Sequence, residues 1–329
     1  MTTKKAIKAL AAGIGIVWMT AACGGNGNGN IGKGNAGNGG ADPNANRKDS
    51  VQTAQYYSPP SIPSWMTDPA LRTAYYLEHF WEGYALTDTA FVRSGDTEQL
   101  YANFLDALQY ADTAARHSAL HQMMERMEAD SAAYRHFCLL AEKYLYHPNS
   151  PMRNEDYYIA VLQQMVHSPL LTSVEKLTPA DRLKQARKNR PGMRAADFAY
   201  VTPQGTAGRL SRISADYTLL FFYDPDCSNC RKHEKVFSEI PAFVELQEKG
   251  VLRVLAIYPD EDGDEWRRAA PHMPPHWIVG WNRQGDIRRR MLYDIRATPS
   301  LYLLDREKRV ILKDAEAKEV IGWLARRMG

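Results

Sequence analysis

The stretch Phe221-Phe222-Tyr223-Asp224-Pro225-Asp226-Cys227-Ser228-Asn229-Cys230 decides how this chain is interpreted. An apolar run typical of a buried strand leads into two cysteines at C-x-x-C spacing, where a helical pattern begins. Backbone N–H groups and the positive end of a helix dipole stabilise a negative sulfur at such a position. A second thiol one turn later can close a disulfide. The stretch therefore predicts a redox-active cysteine pair.

Strand and helix patterns alternate on both sides of this stretch, from residue 195 to the C-terminus. The predicted strands are 197–201, 208–213, 217–223, 251–258, 276–281, 300–305 and 309–313. The predicted helices are 227–250 with a break at Pro241, 264–270, 286–294 and 315–327. This order predicts an α/β domain at 192–329, with a central mixed sheet flanked by helices.

The preceding region has a different pattern, with apolar residues recurring at helical spacing from Asp68 onward. Six helices are predicted. Five of them start near residues 68, 96, 112, 154 and 178, and the fourth in order carries Tyr134 and Phe137 and ends at His147-Pro148. The last one stops at Asn189-Arg190-Pro191-Gly192. Strand signals are few, so residues 64–190 are predicted to form an all-α domain whose Met and aromatic stripes are its core.

The N-terminus has the pattern of a secretory signal: a basic start, a short apolar run, and small residues before Cys23. Thr20-Ala21-Ala22-Cys23 resembles a bacterial lipobox, in which the cysteine is lipidated. An ordinary signal peptide cut near Ala22 is the alternative. Residues 24–63 are rich in Gly and Asn and then in Pro, which predicts a disordered tether after a signal peptide at 1–23.

The composition limits the classes of partner. The net charge of +3 is carried by Lys4, Lys5 and Lys8, and without them 38 basic residues face 38 acidic ones. This balance gives no electrostatic case for nucleic acid. The body of the chain has no uncharged apolar run of about 18 residues, so we do not expect it to span a membrane. Cys138, the remaining cysteine, falls inside the fourth predicted helix and is interpreted as a core residue.

Metal binding is the main alternative for the cysteine pair. A zinc site needs further ligands, and the H-x-x-x-H pair His272/His276 lies too far downstream for a finger-type site. His117 and His121 share a helix face but have no evident third ligand. We therefore predict no metal and no cofactor. A static structural disulfide is the other alternative.

The C-terminal domain resembles the thioredoxin fold. The resemblance is carried by Leu219-Leu220-Phe221-Phe222-Tyr223 before the cysteine pair and by residues 297–305, Ala-Thr-Pro-Ser-Leu-Tyr-Leu-Leu-Asp. An inserted helix and strand containing Trp266 and Trp277 resemble the TlpA/ResA-like branch of extracytoplasmic thiol-disulfide oxidoreductases. The whole arrangement is similar to lipoproteins of anaerobic Gram-negative bacteria whose helical domain has no known function.

This resemblance implies roles for particular residues. Cys227 would be the nucleophile and Cys230 the resolving thiol. Thr298-Pro299 matches the cis-proline loop, which faces both cysteines and pairs with the substrate strand. Departures from the family concern acid–base groups. Asp226 replaces the usual aromatic residue before the nucleophile and should raise the pKa of Cys227.

Proton transfer for the resolving thiol has three candidates. The family often has a Glu three residues after that thiol; here the position is His233, with Glu234 next, and Asp224 precedes the pair. A solvated helix face is the alternative interpretation of the two helical residues.

The function predicted from the sequence is a lipid-anchored extracytoplasmic thiol-disulfide oxidoreductase. It would reduce or exchange disulfides in exported proteins and take electrons from an unknown membrane donor. The cell envelope is the expected location, on the periplasmic face and with the outer membrane favoured. One alternative is a non-catalytic lipoprotein that binds a partner or polymer through a thioredoxin-like scaffold. A peroxiredoxin-like peroxidase ranks lower, because Asp224 stands where such an enzyme needs Thr.

Overall fold

The computed structural model describes residues 56–328, which divide into two compact units between Lys176 and Leu177. The predicted signal peptide, the lipobox with Cys23, and tether residues 24–55 lie outside the described residues. Within 56–328, no helix combines the length and the apolar character needed to cross a membrane.

The first unit is helical, as predicted. Its helices are α1 (Pro69–His79), α2 (Thr89–Val92), α3 (Gly95–Leu108), α4 (Thr113–Met127), α5 (Ser131–Ala141), a π-helix (Glu142–Tyr146) that continues α5, and α6 (Glu155–His167). Each α-helix begins at a residue whose side chain accepts a first-turn backbone N–H: Asp68, Asp88, Ser94, Asp112, Asp130 and Asn154. These caps satisfy backbone donors that a helix start leaves free.

Aromatic side chains form much of the core of this unit. Trp81 packs edge-on against Phe104 and Phe137, with ring centroids 5.5 and 5.0 Å apart. Cys138 is buried beside this cluster, on α5. The Met and aromatic stripes of the sequence are therefore core, as predicted.

The end of the predicted tether is ordered and packed, which corrects its boundary at residue 63. Tyr57 is buried, and the Tyr56 ring stacks on Phe91 with centroids 4.8 Å apart. Gly83 allows this approach, because a Cβ at that position would lie 2.5 Å from the carbonyl oxygen of Ser58. The prolines that suggested a linker thus belong to a segment that covers the helical core.

The second unit begins with helix α7 (Leu177–Ala186). Its strands are β1 (Ala199–Val201), β2 (Ala207–Arg209), β3 (Tyr217–Phe222), β4 (Leu252–Tyr258), β5 (Ile278–Trp281), β6 (Ser300–Leu304) and β7 (Val310–Lys313). Its other helices are α8 (Ser228–Glu239), α9 (Pro241–Glu248), α10 (Gly263–Ala269), α11 (Asp286–Arg289) and α12 (Ala317–Met328), with 3₁₀ turns at Leu210–Arg212 and Ala270–His272.

The seven strands form one mixed sheet in the order β2-β1-β5-β4-β3-β6-β7. Strands β3, β4 and β5 are parallel, and β6 runs antiparallel to β3. Alternate residues of β3 enter two separate hydrophobic cores, with Leu219 and Phe221 on one face and Leu220 and Phe222 on the other. A sheet covered on both faces explains why this strand reads as a continuous apolar run. The predicted α/β thioredoxin-like fold is confirmed.

Two of the predicted elements of this unit differ in type or length from the structure. The strand predicted at 208–213 is β2 followed by a 3₁₀ turn. The helix predicted at 286–294 stops at Arg289, because Met291 adopts a left-handed backbone (φ 47°) and the Leu292 N–H bonds back to the Ile287 carbonyl at 2.9 Å. This is a helix C-terminal motif usually signalled by glycine.

The sixth predicted helix exists as α7, but it belongs to the second compact unit. Gln185 Nε2 and Lys188 Nζ donate to the Met291 carbonyl at 2.9 and 2.7 Å, and Asn189 Nδ2 donates to the Leu292 carbonyl at 2.8 Å. Helical periodicity had indicated the helix but not the surface against which it packs.

Candidate active site

The first cysteine of the pair lies at the start of a helix. Buried strand β3 leads into residues 223–227, and Cys227 is the N-cap of α8. Its Sγ accepts a hydrogen bond from the Cys230 backbone N–H at 3.2 Å. Cys227 is partly exposed, whereas Cys230 is buried, and both are free thiols. This is the arrangement that the C-x-x-C spacing predicted.

The loop at Thr298-Pro299 lies opposite the nucleophile. The Cys227 Sγ donates to the Thr298 carbonyl oxygen at 3.2 Å, and the Thr298–Pro299 peptide bond is cis. The strand register explains the meeting, because Phe222 at the end of β3 pairs with Ser300 at the start of β6. Residues that follow β3 and residues that precede β6 therefore share one edge of the sheet.

The pKa of Cys227 is lowered relative to an ordinary cysteine. Its partial burial raises the pKa, but hydrogen bonds from the Cys230 thiol and the Thr298 side chain lower it. The backbone N–H groups of Cys230 and Asn229 add to this effect. Donors directed at a sulfur favour its charged form, so Cys227 is the more reactive thiol of the pair.

Burial raises the pKa of Cys230 to about 12, and the neighbouring Cys227 sulfur raises it further. A thiol with so high a pKa stays protonated at neutral pH and is a poor nucleophile until it loses its proton. The two thiols of the pair therefore lie in opposite environments, one that favours the thiolate and one that favours the protonated thiol.

Asp226 does not have the predicted effect. The sequence predicted that this carboxylate would raise the pKa of Cys227, and the net shift is the opposite. Asp226 is exposed and shares a hydrogen bond with Glu265, whose pKa is raised by burial and by the charges of Asp226 and Asp224. The Asp226 carboxyl thus interacts with another acid rather than with the nucleophile.

The three proton-transfer candidates occupy different places. Glu234 and Cys230 line one cleft of about 570 Å³, and burial raises the pKa of Glu234 while Arg231 lowers it. His233 donates from Nδ1 to the Asn229 carbonyl at 2.9 Å.

Asp224 also lines the cleft, but one of its carboxylate oxygens accepts the Asp226 backbone N–H at 2.8 Å. Among the three candidates, Glu234 combines proximity to the Cys230 cleft with a raised pKa.

Sequence reasoning missed a group of charged residues beside the proline loop. Arg296 pairs with Asp294 and Asp314, and all three side chains are largely buried. Single charged residues near the ends of helices and strands are usually exposed, so the sequence does not indicate that these three are buried together. Within residues 56–328, no three His, Cys, Asp or Glu side chains are grouped so that they could hold a metal ion.

Comparisons with known proteins found matches to both the helical and the α/β part of the chain. A family model described as a domain of unknown function, DUF5106, matches residues 36–189. A thioredoxin-like protein from Bacteroides caccae is 37% identical, with a TM-score of 0.78, and the match covers 82% of this chain and 97% of that one. A conserved protein of unknown function from Bacteroides fragilis is 65% identical over 41% of this chain and 98% of that one, with a TM-score of 0.41. No curated protein matches the chain.

Fold and site together define the class as thioredoxin-fold proteins with a C-x-x-C pair at a helix start. By its match to the Bacteroides caccae protein, the chain belongs to the thioredoxin-like proteins. The predicted combination of a thioredoxin-like domain with a preceding helical domain of unknown function is confirmed. The family model ends at residue 189, close to the predicted boundary at 190, whereas the compact units divide at 176/177.

Proposed function

We propose that this protein is a thiol-disulfide oxidoreductase that reduces or exchanges disulfides in exported proteins. The observation that carries the proposal is the contrast between the two thiols, one partly exposed with a lowered pKa and one buried with a raised pKa. Exchange requires a thiolate that attacks and a second thiol held in reserve. The position of Thr298 against the attacking sulfur supports the same chemistry.

The reaction would proceed in two displacements. The Cys227 thiolate attacks one sulfur of a substrate disulfide and forms a mixed disulfide, and the other substrate sulfur leaves as a thiolate and takes up a proton. Cys230 then loses its proton and attacks the Cys227 sulfur, which releases the second substrate thiol. The substrate gains two electrons and two protons, and the Cys227–Cys230 pair is oxidised. A reduced thiol donor at the membrane would restore the pair.

Glu234 would accept the proton of Cys230. A carboxylate with a raised pKa is a stronger base, and Glu234 lines the cleft that the buried thiol also lines. His233 is less suited, because its Nδ1–H already donates to a backbone carbonyl.

The location is part of the proposal. The basic, apolar and small-residue pattern before Cys23 supports export and lipidation of that cysteine. We place the protein in the cell envelope, on the periplasmic face and anchored in the outer membrane, where disulfides persist in client proteins. Metabolic labelling with a fatty-acid analogue should mark the wild-type protein and leave a Cys23→Ser variant unlabelled; labelling of both would contradict anchoring at this residue.

The activity can be tested with purified residues 24–329. We expect this protein to reduce insulin disulfides in the presence of dithiothreitol and Cys227→Ser to abolish the reaction. Cys138→Ser is the matched control and should retain activity. Absence of reduction or oxidation across a range of redox buffers, in a folded protein, would favour the alternative of a non-catalytic binding protein.

A further inference from the structure

Buried charges lie next to the loop that faces the nucleophile. The Arg296 Nε lies 3.2 Å from an Asp294 carboxylate oxygen, and its Nη2 pairs with the Asp314 carboxylate. These side chains are only 10%, 11% and 16% exposed, respectively. Arg182 and Lys313 also act electrostatically on Asp294. Charges so far removed from water are costly unless they are paired, so the geometry of this cluster is strongly constrained.

The segment that carries Asp314 is tied to the chain on both sides of Thr298-Pro299. Ahead of the loop, Asp314 holds Arg296 through the ion pair. Beyond the loop, the Leu301 carbonyl accepts the Ala315 N–H at 3.1 Å. Two consecutive residues, 314 and 315, therefore fix the chain two residues before Thr298 and three residues after it.

The loop has further supports of its own. Ser300 Oγ donates to the Ala297 carbonyl at 2.7 Å, and Arg288 Nη1 donates to the Ile295 carbonyl at 3.0 Å. Between these fixed points lies the Thr298 carbonyl, which accepts from the Cys227 Sγ. The position of Thr298 relative to the Cys227 sulfur is thus set by how the flanking residues are held.

The backbone at Asp314 points to the importance of its side chain. Its φ is 49°, in the left-handed region that favours glycine. Aspartate tolerates this conformation better than most residues do. What aspartate adds over glycine at this position is the carboxylate that pairs with Arg296.

We propose that Arg296 is a positioning residue for thiol-disulfide exchange. By pairing with Asp294 and Asp314 it holds Thr298 against the Cys227 sulfur, where the Thr298 side chain donates a hydrogen bond that stabilises the thiolate. The inference rests on the proposed function for substrate turnover, but the reactivity of Cys227 can be measured without any substrate.

The test compares four variants of the full chain. Arg296→Met removes both pairs, Arg296→Lys keeps the charge but not the two-armed contact, and Asp314→Asn removes one partner charge while tolerating the left-handed backbone. Arg306→Met is the matched control, since it removes the exposed pair with Asp216 beyond the other end of β6. Each reduced protein is alkylated with iodoacetamide across pH, with Cys227 followed by mass spectrometry, and is assayed for insulin reduction.

We expect Arg296→Met to move the alkylation profile of Cys227 to higher pH, because the Thr298 side chain would no longer donate to the thiolate. It should slow insulin reduction by roughly tenfold, mainly through kcat, because small displacements at a reacting centre are costly. Arg296→Lys and Asp314→Asn should lie between this variant and the wild type, and Arg306→Met should match the wild type.

A wild-type alkylation profile and turnover in folded Arg296→Met would overturn the inference. If Arg296→Met fails to fold, the Asp314→Asn variant provides the test. A wild-type alkylation profile and wild-type turnover in Asp314→Asn would also overturn the inference. An ordinary Cys227 profile together with no reduction in the wild type would instead contradict the proposed function.

Discussion

Cys138 in the first compact unit and Cys227 in the second are both free thiols in helical segments, yet they have opposite properties. Cys138 lies inside the continuous helical stretch 131–146, where backbone N–H groups are already used by the helix. Burial raises its pKa to about 12, and Arg135 only partly offsets this. Cys227 caps a helix, where first-turn N–H groups are free to bond its sulfur, and its pKa is lowered. Burial and position along a helix, rather than residue type, therefore decide whether a thiol is reactive.

The largest difference should appear in alkylation at pH 7. The pKa of Cys227 is lowered, whereas burial raises that of Cys138 to about 12, so Cys227 is by far the more ionised thiol at pH 7. The weaker nucleophilicity of a less basic thiolate offsets only part of this advantage, and we expect Cys227 to react more than about tenfold faster. Burial of Cys138 slows it further. Iodoacetamide labelling of the reduced protein, read peptide by peptide, should modify Cys227 first. Equal labelling of the two residues would invalidate the comparison.

Glu234 tests the contrast between the two thiols of the pair. We expect Glu234→Gln to slow turnover of disulfide substrates by roughly tenfold, because Cys230 then lacks its base in the cleft. Initial alkylation of Cys227 should stay at the wild-type rate. His233→Gln is the matched control and should keep wild-type turnover. If it lost as much activity as Glu234→Gln, Glu234 would not be the specific base for Cys230.

Gly83 tests the first unit separately from the site. A Cβ in Gly83→Ala would meet the Ser58 carbonyl oxygen at 2.5 Å, and a backbone atom cannot swing away. We expect a loss of about 1–3 kcal/mol in the free energy of unfolding, measured by denaturant titration. Cys227 alkylation should be unchanged. Gly95→Ala is the control, since its Cβ would have nothing within 4 Å.

The last prediction concerns the stability of the first unit in alkaline solution, where the effect is absent at neutral pH and appears only above the unfolded pKa of cysteine. Because the pKa of Cys138 is raised in the folded state, its stabilising contribution is complete below the unfolded pKa of about 8.5 and is lost as pH rises toward about 12. The loss should reach about 1.4 kcal/mol per pH unit in that window. The free energy of unfolding of Cys138→Ala should therefore fall less steeply with rising pH than that of the wild type. Ionisation of the buried tyrosines affects both proteins alike. Parallel curves would show that Cys138 ionises freely.

The local features of the site could be predicted, because they depend on neighbours in sequence. A buried strand followed by two cysteines at a helix start needs only periodicity and spacing, and the meeting with Thr298 followed from the resemblance. The features that could not be predicted depend on contacts between residues that are distant in sequence. Residues 56–63 looked like a linker because of their prolines, and the sequence gives no sign that Tyr56 and Tyr57 pack on the aromatic core.

Helix α7 and Arg296 show the same limit. Periodicity predicts a helix near residue 178 but not that its C-terminal end bonds to Met291. Arg296 carries no pattern of its own, and only the fold brings Asp314 to it across 18 residues of chain.

The N-cap role of Cys227 gives the protein an internal gauge of its oxidation state. In the reduced form its sulfur accepts the amide proton of Cys230. Once that sulfur is shared in a disulfide it is a far weaker acceptor, so the amide should exchange faster with deuterium and shift in an NMR spectrum. A single backbone resonance, followed through a series of glutathione mixtures, would then give the midpoint potential directly, before any client or electron donor has been found.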